Sequence, residues 1–184
     1  EDGDVWRYVD GMFEVATGVR GRVTGPFAPR RVRFGDGALR ATARLEAGAD
    51  ASYGLIVGGG SLFLFVVSGD GTWSVHKAVG GSLRPVLAAA ASPLVPTTRG
   101  TAVRLRVERQ GARAVFFIDD GRVGEIEDAD LREPGQPGLF VSAGDDVPAR
   151  ARYDDVLVTR WSDAPPTWTP LPTATATPSL AGER

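Results

Sequence analysis

The sequence predicts an all-β protein, a two-sheet antiparallel sandwich followed by a disordered tail rich in proline and threonine. Three observations support this prediction. Residues 37–46 alternate strictly between apolar and polar side chains, as a strand with one buried face requires. Glycine (24 residues) and proline (13 residues) separate short apolar runs along the chain. Helical periodicity is almost absent, and the alanine-rich stretch 87–91 is bracketed by Pro85, Pro93 and Pro96.

Two alternating strands define which side chains point into the core. Over residues 37–46 and 101–109, apolar and charged side chains occupy opposite faces. The inward set is Leu39, Ala41, Ala43, Leu45, Val103, Leu105 and Val107, and the outward set includes Arg40, Arg44, Arg104 and Arg106. Both strands therefore predict a sheet with one buried face and one polar face.

Two other runs, 61–68 and 114–118, are apolar on both faces. This pattern predicts strands in the middle of a sheet, covered on one side by the second sheet and on the other by loops or a partner. Polar-glycine turns at 68–71 and 119–121 predict two hairpins. Further strands are expected at 6–9, 13–17, 32–34, 53–57, 83–88, 138–143 and 150–160, with one short helical turn at 128–132.

The chain divides into a sandwich domain, residues 1–162, and a flexible linker or tail, residues 163–184. The tail consists largely of proline, threonine and alanine, and few of its side chains could fill a core. Linkers of this kind typically tether a domain outside the cell. We therefore expect an extracellular or cell-surface protein of a bacterium. The first residues lack a basic-then-apolar signal segment, which export would have removed before residue 1.

Composition excludes several classes of function. The net charge of −2 and a pI near 5.5 supply no basic field for nucleic acid. No apolar run approaches the roughly 20 residues of a membrane-spanning helix. The chain has no cysteine and a single histidine, His76, which rules out disulfides, thiolate metal sites and multi-histidine metal centres.

Several short segments follow one another in a familiar order: a Tyr-Gly-Leu strand at 53–55, a Gly-Asp-Gly turn at 69–71, an Arg-Leu strand at 104–107, a Gly-Leu strand at 138–139 and a closing Tyr-Asp-Asp-Val strand at 153–156. Over about residues 35–160, this order resembles the concanavalin A-like lectin/glucanase superfamily. More narrowly, it resembles bacterial laminin-G-like domains grouped with 3-keto-disaccharide hydrolases. The resemblance implies a jelly-roll sandwich, in a fold that serves lectins, hydrolases and non-catalytic modules alike.

Residues for catalysis are sparse. Glycosidases need two carboxylates about 5–9 Å apart, and the glucanases of the superfamily carry them in a Glu-x-Asp-x-x-Glu pattern that Glu125 and Glu127 match only in part. Asp154 and Asp155 are adjacent, so they point to opposite faces of a strand unless a bulge intervenes. His76 stands beside Ser74 on the face opposite Trp73, with no alignment expected for proton transfer. We therefore predict no catalytic residues.

No cofactor is expected. Calcium binds many jelly rolls, and Asp119/Asp120, Asp128/Asp130 and Asp145/Asp146 are candidate pairs, but none has a complete ligand spacing. The alternative, that these aspartates form turns in polar loops, fits their positions better. The triplet 58–60 lacks the Lys-Ser/Thr of a phosphate loop and predicts a tight or mobile connection.

Glycan binding needs aromatic faces and polar groups. The candidate residues are Trp73, His76, Arg40, Arg44, Arg104 and Arg106. If the two arginine-bearing strands are neighbours, their guanidinium groups line one surface suited to carboxylated or sulfated glycans. Two simpler interpretations stay open, a core position for Trp73 and a solvated face for the arginines.

The function expected from the sequence is a non-catalytic extracellular or cell-surface module that binds a glycan or another surface polymer. One alternative is a glycoside hydrolase-like or keto-sugar-processing enzyme. Another is a structural or adhesive module whose exposed sheet, with Phe63, Phe65 or Phe117, contacts a protein partner.

Overall fold

The structure is a computed structural model that describes residues 3–161. The predicted tail, residues 163–184, lies outside the described residues. Thirteen strands and one 3-10 helix follow one another along the described chain: β1 (Asp4–Val9), β2 (Met12–Thr17), β3 (Val23–Thr24), β4 (Gly37–Ala47), β5 (Ser52–Gly58), β6 (Leu62–Ser68), β7 (Thr72–Val79), β8 (Ser82–Ala91), β9 (Val103–Gln110), β10 (Arg113–Ile118), β11 (Gly121–Glu127), η1 (Ala129–Arg132), β12 (Gly138–Ser142) and β13 (Ala149–Arg160).

The strands form two antiparallel sheets. The seven-stranded sheet has the order β1-β2-β13-β4-β9-β10-β11, and the six-stranded sheet has the order β3-β12-β5-β6-β7-β8. The predicted all-β sandwich is confirmed. No helix among residues 3–161 has the length and apolar character needed to cross a membrane.

The inner faces of the two sheets pack into one core, as the alternation predicts. Leu39 on β4 and Leu105 on β9 are buried on one side, and Phe65 on β6 is buried on the other. The rings of Phe65 and Phe116 meet across the sandwich with centroids 5.1 Å apart. Burial of these side chains supplies the main favourable term in folding, at about 25 cal/mol per Å² of apolar surface.

The six-stranded sheet also buries apolar side chains on its opposite face. Alternation along β6 sends Phe63 and Phe65 into the core and turns the intervening side chains away from it. A separate buried cluster results, made of Ile56, Leu64, Val66 and Phe140. The prediction that Phe63 and Phe65 present apolar surface is therefore wrong, because both rings lie in the core.

One predicted strand is absent, one short strand was not predicted, and one predicted turn is refined by the structure. Residues 32–34 form no strand and contribute only an isolated bridge from Phe34 to Gly135. The short β3 was not predicted because two residues carry no periodic signal. In the β10–β11 hairpin, Asp119 takes the positive φ of +51°, a conformation that Asp tolerates better than most residues.

The 3-10 helix and the glycine triplet lie against each other. Asp128 caps η1 by accepting a hydrogen bond from Asp130 N, which confirms the predicted helical turn. Gly60 N donates to Asp130 O over 2.8 Å. A Cβ on Gly59 would lie 2.4 Å from Asp130 O, so the triplet allows two backbones to approach closely.

Candidate functional site

The candidate site lies on the outer face of the seven-stranded sheet, where β4 and β9 pair. Arg40 stands opposite Arg106 in the register, and Thr42 stands opposite Arg104. The alternation that buries Leu39 and Leu105 turns these four side chains to the outside. The condition that the two arginine-bearing strands are neighbours is therefore met.

These side chains surround a depression of about 340 Å³. Ligand sites in proteins generally range from about 300 to 1,000 Å³. We call it the arginine depression, and it is lined by Arg40, Ala41, Thr42, Arg104, Leu105, Arg106, Asp119, Asp120 and Asp155.

The β10–β11 hairpin holds Arg104 in place. Arg104 Nη2 donates to Asp120 Oδ2 over 2.8 Å, and the Arg104 backbone N donates to Asp119 Oδ1 over 3.0 Å. Both aspartates come from the predicted turn. The turn therefore fixes one wall of the arginine depression and supplies acceptors beside the guanidinium.

Arg106 is fixed by stacking. Its guanidinium carbon lies 3.8 Å from the centroid of the Phe117 ring, and it also pairs with Glu108. Burial lowers the pKa of Arg106. Phe117, one of the rings proposed as exposed apolar surface, is thus covered by an arginine.

Arg40 differs from its two neighbours. Within residues 3–161 it makes no hydrogen bond or ion pair, and its side chain is exposed. The guanidinium thus keeps its N–H donors available beside those of Arg106, which lies directly across the strand pair.

A bulge in β13 brings the third carboxylate to the arginine depression. The register of β13 on β4 shifts between Asp154 and Leu157, and Asp155 has a φ of +50°. Thr42 Oγ1 donates to Asp155 Oδ2 over 3.5 Å, and Asp154 Oδ1 accepts from Asp155 N over 2.8 Å. Asp154 thus binds a backbone amide, whereas Asp155 lines the arginine depression.

Three arginines and three aspartates line the arginine depression, so its formal charges balance. The arginine N–H donors and the aspartate oxygen acceptors therefore lie close together on one surface of the sheet. Such a lining can bind adjacent hydroxyl groups, each of which both donates and accepts a hydrogen bond. Alternation predicted the arginines, whereas Thr42, Asp119, Asp120 and Asp155 were brought in by the register, the turn and the bulge.

The other predicted binding residues lie elsewhere. Arg44 stands opposite Arg152 on β13 and pairs with Glu46 at 2.5 Å. Trp73 is 7% exposed, lies in the core and packs edge-on against Phe65. Its ring is therefore not available to a glycan, and the simpler interpretation of Trp73 as a core residue is correct.

His76 lies on the outer face of the six-stranded sheet, on the opposite side of the sandwich from the arginines. Its Nε2 is 3.0 Å from Ser74 Oγ, so the two side chains are hydrogen-bonded, contrary to the expectation of no alignment. Burial lowers the pKa of His76. Within the described part of the chain, no carboxylate contacts the imidazole to orient it as a general base.

Of the two glutamates considered for an enzyme, one is ion-paired and the other is exposed. Glu125, on the edge strand β11, contacts Arg113 and Arg122, and the hydrogen bond from Arg113 lowers its pKa. Glu127 is exposed. A glycosidase general acid needs a raised pKa, so the geometry of Glu125 disfavours that role.

The three candidate calcium pairs each have other partners. Asp119 and Asp120 bind Arg104, as described above. Lys77 Nζ lies 2.7 Å from Asp128 and 3.0 Å from Asp130. In the third loop, carboxylates accept from backbone amides, with Asp50 bound by Asp145 N and Asp146 N, and Asp146 bound by Ala49 N. Within residues 3–161, no cluster of three or more metal-ligating side chains occurs.

Solved structures of other proteins share this architecture. The carbohydrate-binding module CBM66 from Bacillus subtilis superposes with a TM-score of 0.68 at 17% identity, over 84% of this chain and 90% of that one. The fold is a concanavalin A-like jelly roll. The jelly-roll fold implied by the superfamily resemblance is thereby confirmed, while the narrower laminin-G-like resemblance stays a prediction.

Two hydrolases share the same fold. A β-glucanase from Bacillus licheniformis has a TM-score of 0.61 at 10% identity and covers 85% of this chain and 82% of its own. The laminarinase catalytic domain from Thermotoga maritima has a TM-score of 0.63 at 12% identity, covering 86% and 81%. No protein-family model matches the chain, and no curated protein matches it in sequence.

Proposed function

We propose that this jelly roll is a non-catalytic glycan-binding module that acts outside the cell or at its surface. The observation that carries the proposal is the arginine depression, in which Arg40, Arg104 and Arg106 alternate with carboxylates around one concave surface. The fold it shares with a carbohydrate-binding module and with glucan hydrolases supports the same class of ligand. The extracellular location rests on the proline- and threonine-rich segment 163–184.

The lining favours hydroxyl groups over the carboxylated or sulfated groups that the arginines suggest by themselves. Asp119 and Asp120 neutralise Arg104, and Glu108 neutralises Arg106. Only Arg40 keeps an unpaired positive charge among the described residues of this surface. A neutral oligosaccharide can accept hydrogen bonds from Arg40 and donate to Asp155 without leaving a buried charge unpaired.

The carboxylates support a non-catalytic role. Those with resolved changes in pKa, including Glu14, Glu125 and Asp130, are shifted downward, so they stay ionised near neutral pH. Burial would raise the pKa of Glu14, but hydrogen bonds from Arg152 and Arg7 outweigh it. None of these groups is poised to deliver a proton to a leaving group.

A glycan array with the full chain, run with and without calcium, tests the proposal. We expect saturable binding to a neutral oligosaccharide that is independent of calcium. Titration calorimetry with the best binder then compares Arg40→Gln with Arg84→Gln. The second variant removes an exposed arginine on β8 that has no ion-pair partner among residues 3–161. We expect R40Q to weaken binding about tenfold and R84Q to leave it unchanged. Equal affinity of both variants, or hydrolysis of the bound sugar, contradicts the proposal.

A further inference from the structure

A second depression, which we call the end pocket, lies where β13 ends. It spans about 650 Å³ and shares no lining residue with the arginine depression. Its lining is Arg33, Gly35, Asp36, Arg132, Pro134, Arg160 and Trp161. Sequence patterns did not single out this pocket, because its residues come from three distant parts of the chain.

Backbone contacts bring these three parts together. Arg160 at the end of β13 pairs with Gly37, and Trp161 N donates to Asp36 O over 3.3 Å. Phe34 and Gly135 exchange two backbone hydrogen bonds, Phe34 N to Gly135 O over 2.7 Å and Gly135 N to Phe34 O over 3.1 Å. The segment before β4 and the segment after η1 are therefore joined beneath the end pocket.

A buried arginine joins the segments that carry the lining of the end pocket. Arg109 Nη1 donates to Phe34 O over 2.9 Å and to Gly58 O over 3.0 Å, and its Nη2 donates to Glu133 O over 2.6 Å. A single guanidinium thus binds carbonyls from three segments. Because these donors are charged, the hydrogen bonds are stronger than ordinary ones, so the end pocket is preformed.

Positive charge predominates in the end pocket. Arg160 Nη2 donates to Arg33 O over 3.1 Å, and Arg33 donates to Pro134 O. Both partners are neutral carbonyls. Arg132 has no hydrogen-bond or ion-pair partner among residues 3–161. The lining thus contains three guanidinium groups against one carboxylate, Asp36, which itself accepts from Gly111 N over 2.8 Å.

We propose that the end pocket binds an acidic sugar, one that carries a carboxylate or a sulfate. Arg33, Arg132 and Arg160 keep N–H donors that can bind such an anion in a bidentate manner, and Trp161 lies beside them in the lining. This proposal rests on the proposed function, because it takes the ligand to be a glycan. It adds a second site that prefers an anionic sugar, whereas the arginine depression prefers a neutral one.

Titration calorimetry at low salt tests the end pocket with three probes: a galacturonate tetramer, a sulfated galactan tetrasaccharide and neutral cellotetraose. The full chain is compared with the double variant R33Q/R132Q, which leaves Arg109 and its three hydrogen bonds to carbonyls intact. Arg84→Gln serves as the control for loss of exposed positive charge. Arg40→Gln tests whether the acidic probe binds in the arginine depression instead.

We expect at least one acidic probe to bind saturably and about tenfold more weakly to R33Q/R132Q, while R84Q and R40Q bind it as the parent chain does. Unchanged binding in R33Q/R132Q, or an equal loss in R84Q, overturns the proposal because the charge effect is then non-specific. Absence of saturable binding by both acidic probes also overturns it. A loss confined to R40Q places the anion in the arginine depression, which refutes the end pocket and leaves the proposed function standing.

Discussion

The Tyr153 hydroxyl, on the seven-stranded sheet, contacts the backbone of Gly54 on the six-stranded sheet. Gly54 N donates to Tyr153 Oη over 3.0 Å, and Tyr153 Oη donates to the carbonyl of Phe140 on the neighbouring strand. The ring is buried in the core, and burial raises the pKa of its hydroxyl. One side chain thus links the two layers through polar contacts that lie away from water.

Tyr153→Phe removes these cross-layer hydrogen bonds while it keeps the ring. We expect a loss of about 1–3 kcal/mol in the free energy of unfolding, because Gly54 N and Phe140 O each lose a buried partner. Urea unfolding measures the change. Tyr8→Phe is the matched control, since Tyr8 is 79% exposed and its substitution leaves the midpoint unchanged. Equal midpoints for the two variants contradict the role assigned to Tyr153.

Glu14 is 1% exposed and lies between Arg7 and Arg152. Because hydrogen bonds from Arg152 and Arg7 outweigh the effect of burial, its pKa falls below the ordinary value of 4.5. The resulting stabilisation is complete above that value and is lost as the pH falls through the lowered pKa of the folded state.

Glu14→Gln removes this pH dependence. We expect it to cost about 3 kcal/mol at pH 7, since two arginines lose their charged partner. Urea unfolding at pH 7 and pH 3 measures the difference between Glu14→Gln and the parent chain. We expect that difference to shrink at pH 3, and a constant difference contradicts the assignment.

His76 is the single histidine, so its titration can be followed without overlap. Burial lowers its pKa from the ordinary value of 6.5, and the folded state therefore binds its proton less readily than the unfolded state. Its contribution to stability is present above pH 6.5 and declines as the pH falls below that value. An NMR titration of the imidazole Hε1 signal measures the pKa directly, and a value above 6.5 contradicts the buried environment.

Arg109 binds three carbonyls from separate segments with one guanidinium. Arg109→Met preserves much of the volume but leaves these carbonyls without a donor, and we expect a loss of about 3 kcal/mol or more. Arg84→Met, at an exposed position, is the control for loss of the charge. Equal urea midpoints for the two variants would show that the hydrogen bonds of Arg109 contribute nothing to stability.

Much of the fold could be predicted from alternation. The inward positions of Leu39, Leu105 and Val107 follow from period two, and the same rule places Trp73 with Val75 in the core. It also places Arg109 on the inward face of β9. This position is easily overlooked, because the other arginines of the strand point outward. Fully buried arginine is rare unless it is paired, and the Nη atoms of Arg109 bind three backbone carbonyls, so the inward position is consistent with its burial.

The candidate site could be predicted only in part. Pairing of β4 with β9 depends on strand order, which alternation does not encode, and the register that sets Arg40 opposite Arg106 comes from the folded sheet. The β13 bulge that delivers Asp155 adds one residue with no distinct sequence mark. The end pocket depends on contacts between segments that are distant in sequence, and local sequence patterns do not predict such contacts.

The location of the bound glycan tests the central claim most directly. Backbone amide NMR shifts, recorded while the best array binder is titrated into the labelled chain, report where the ligand lies. We predict that the largest shift changes fall on Arg40, Thr42, Arg104 and Arg106. Largest changes at Val66, Ser74 and His76, on the outer face of the other sheet, contradict the account.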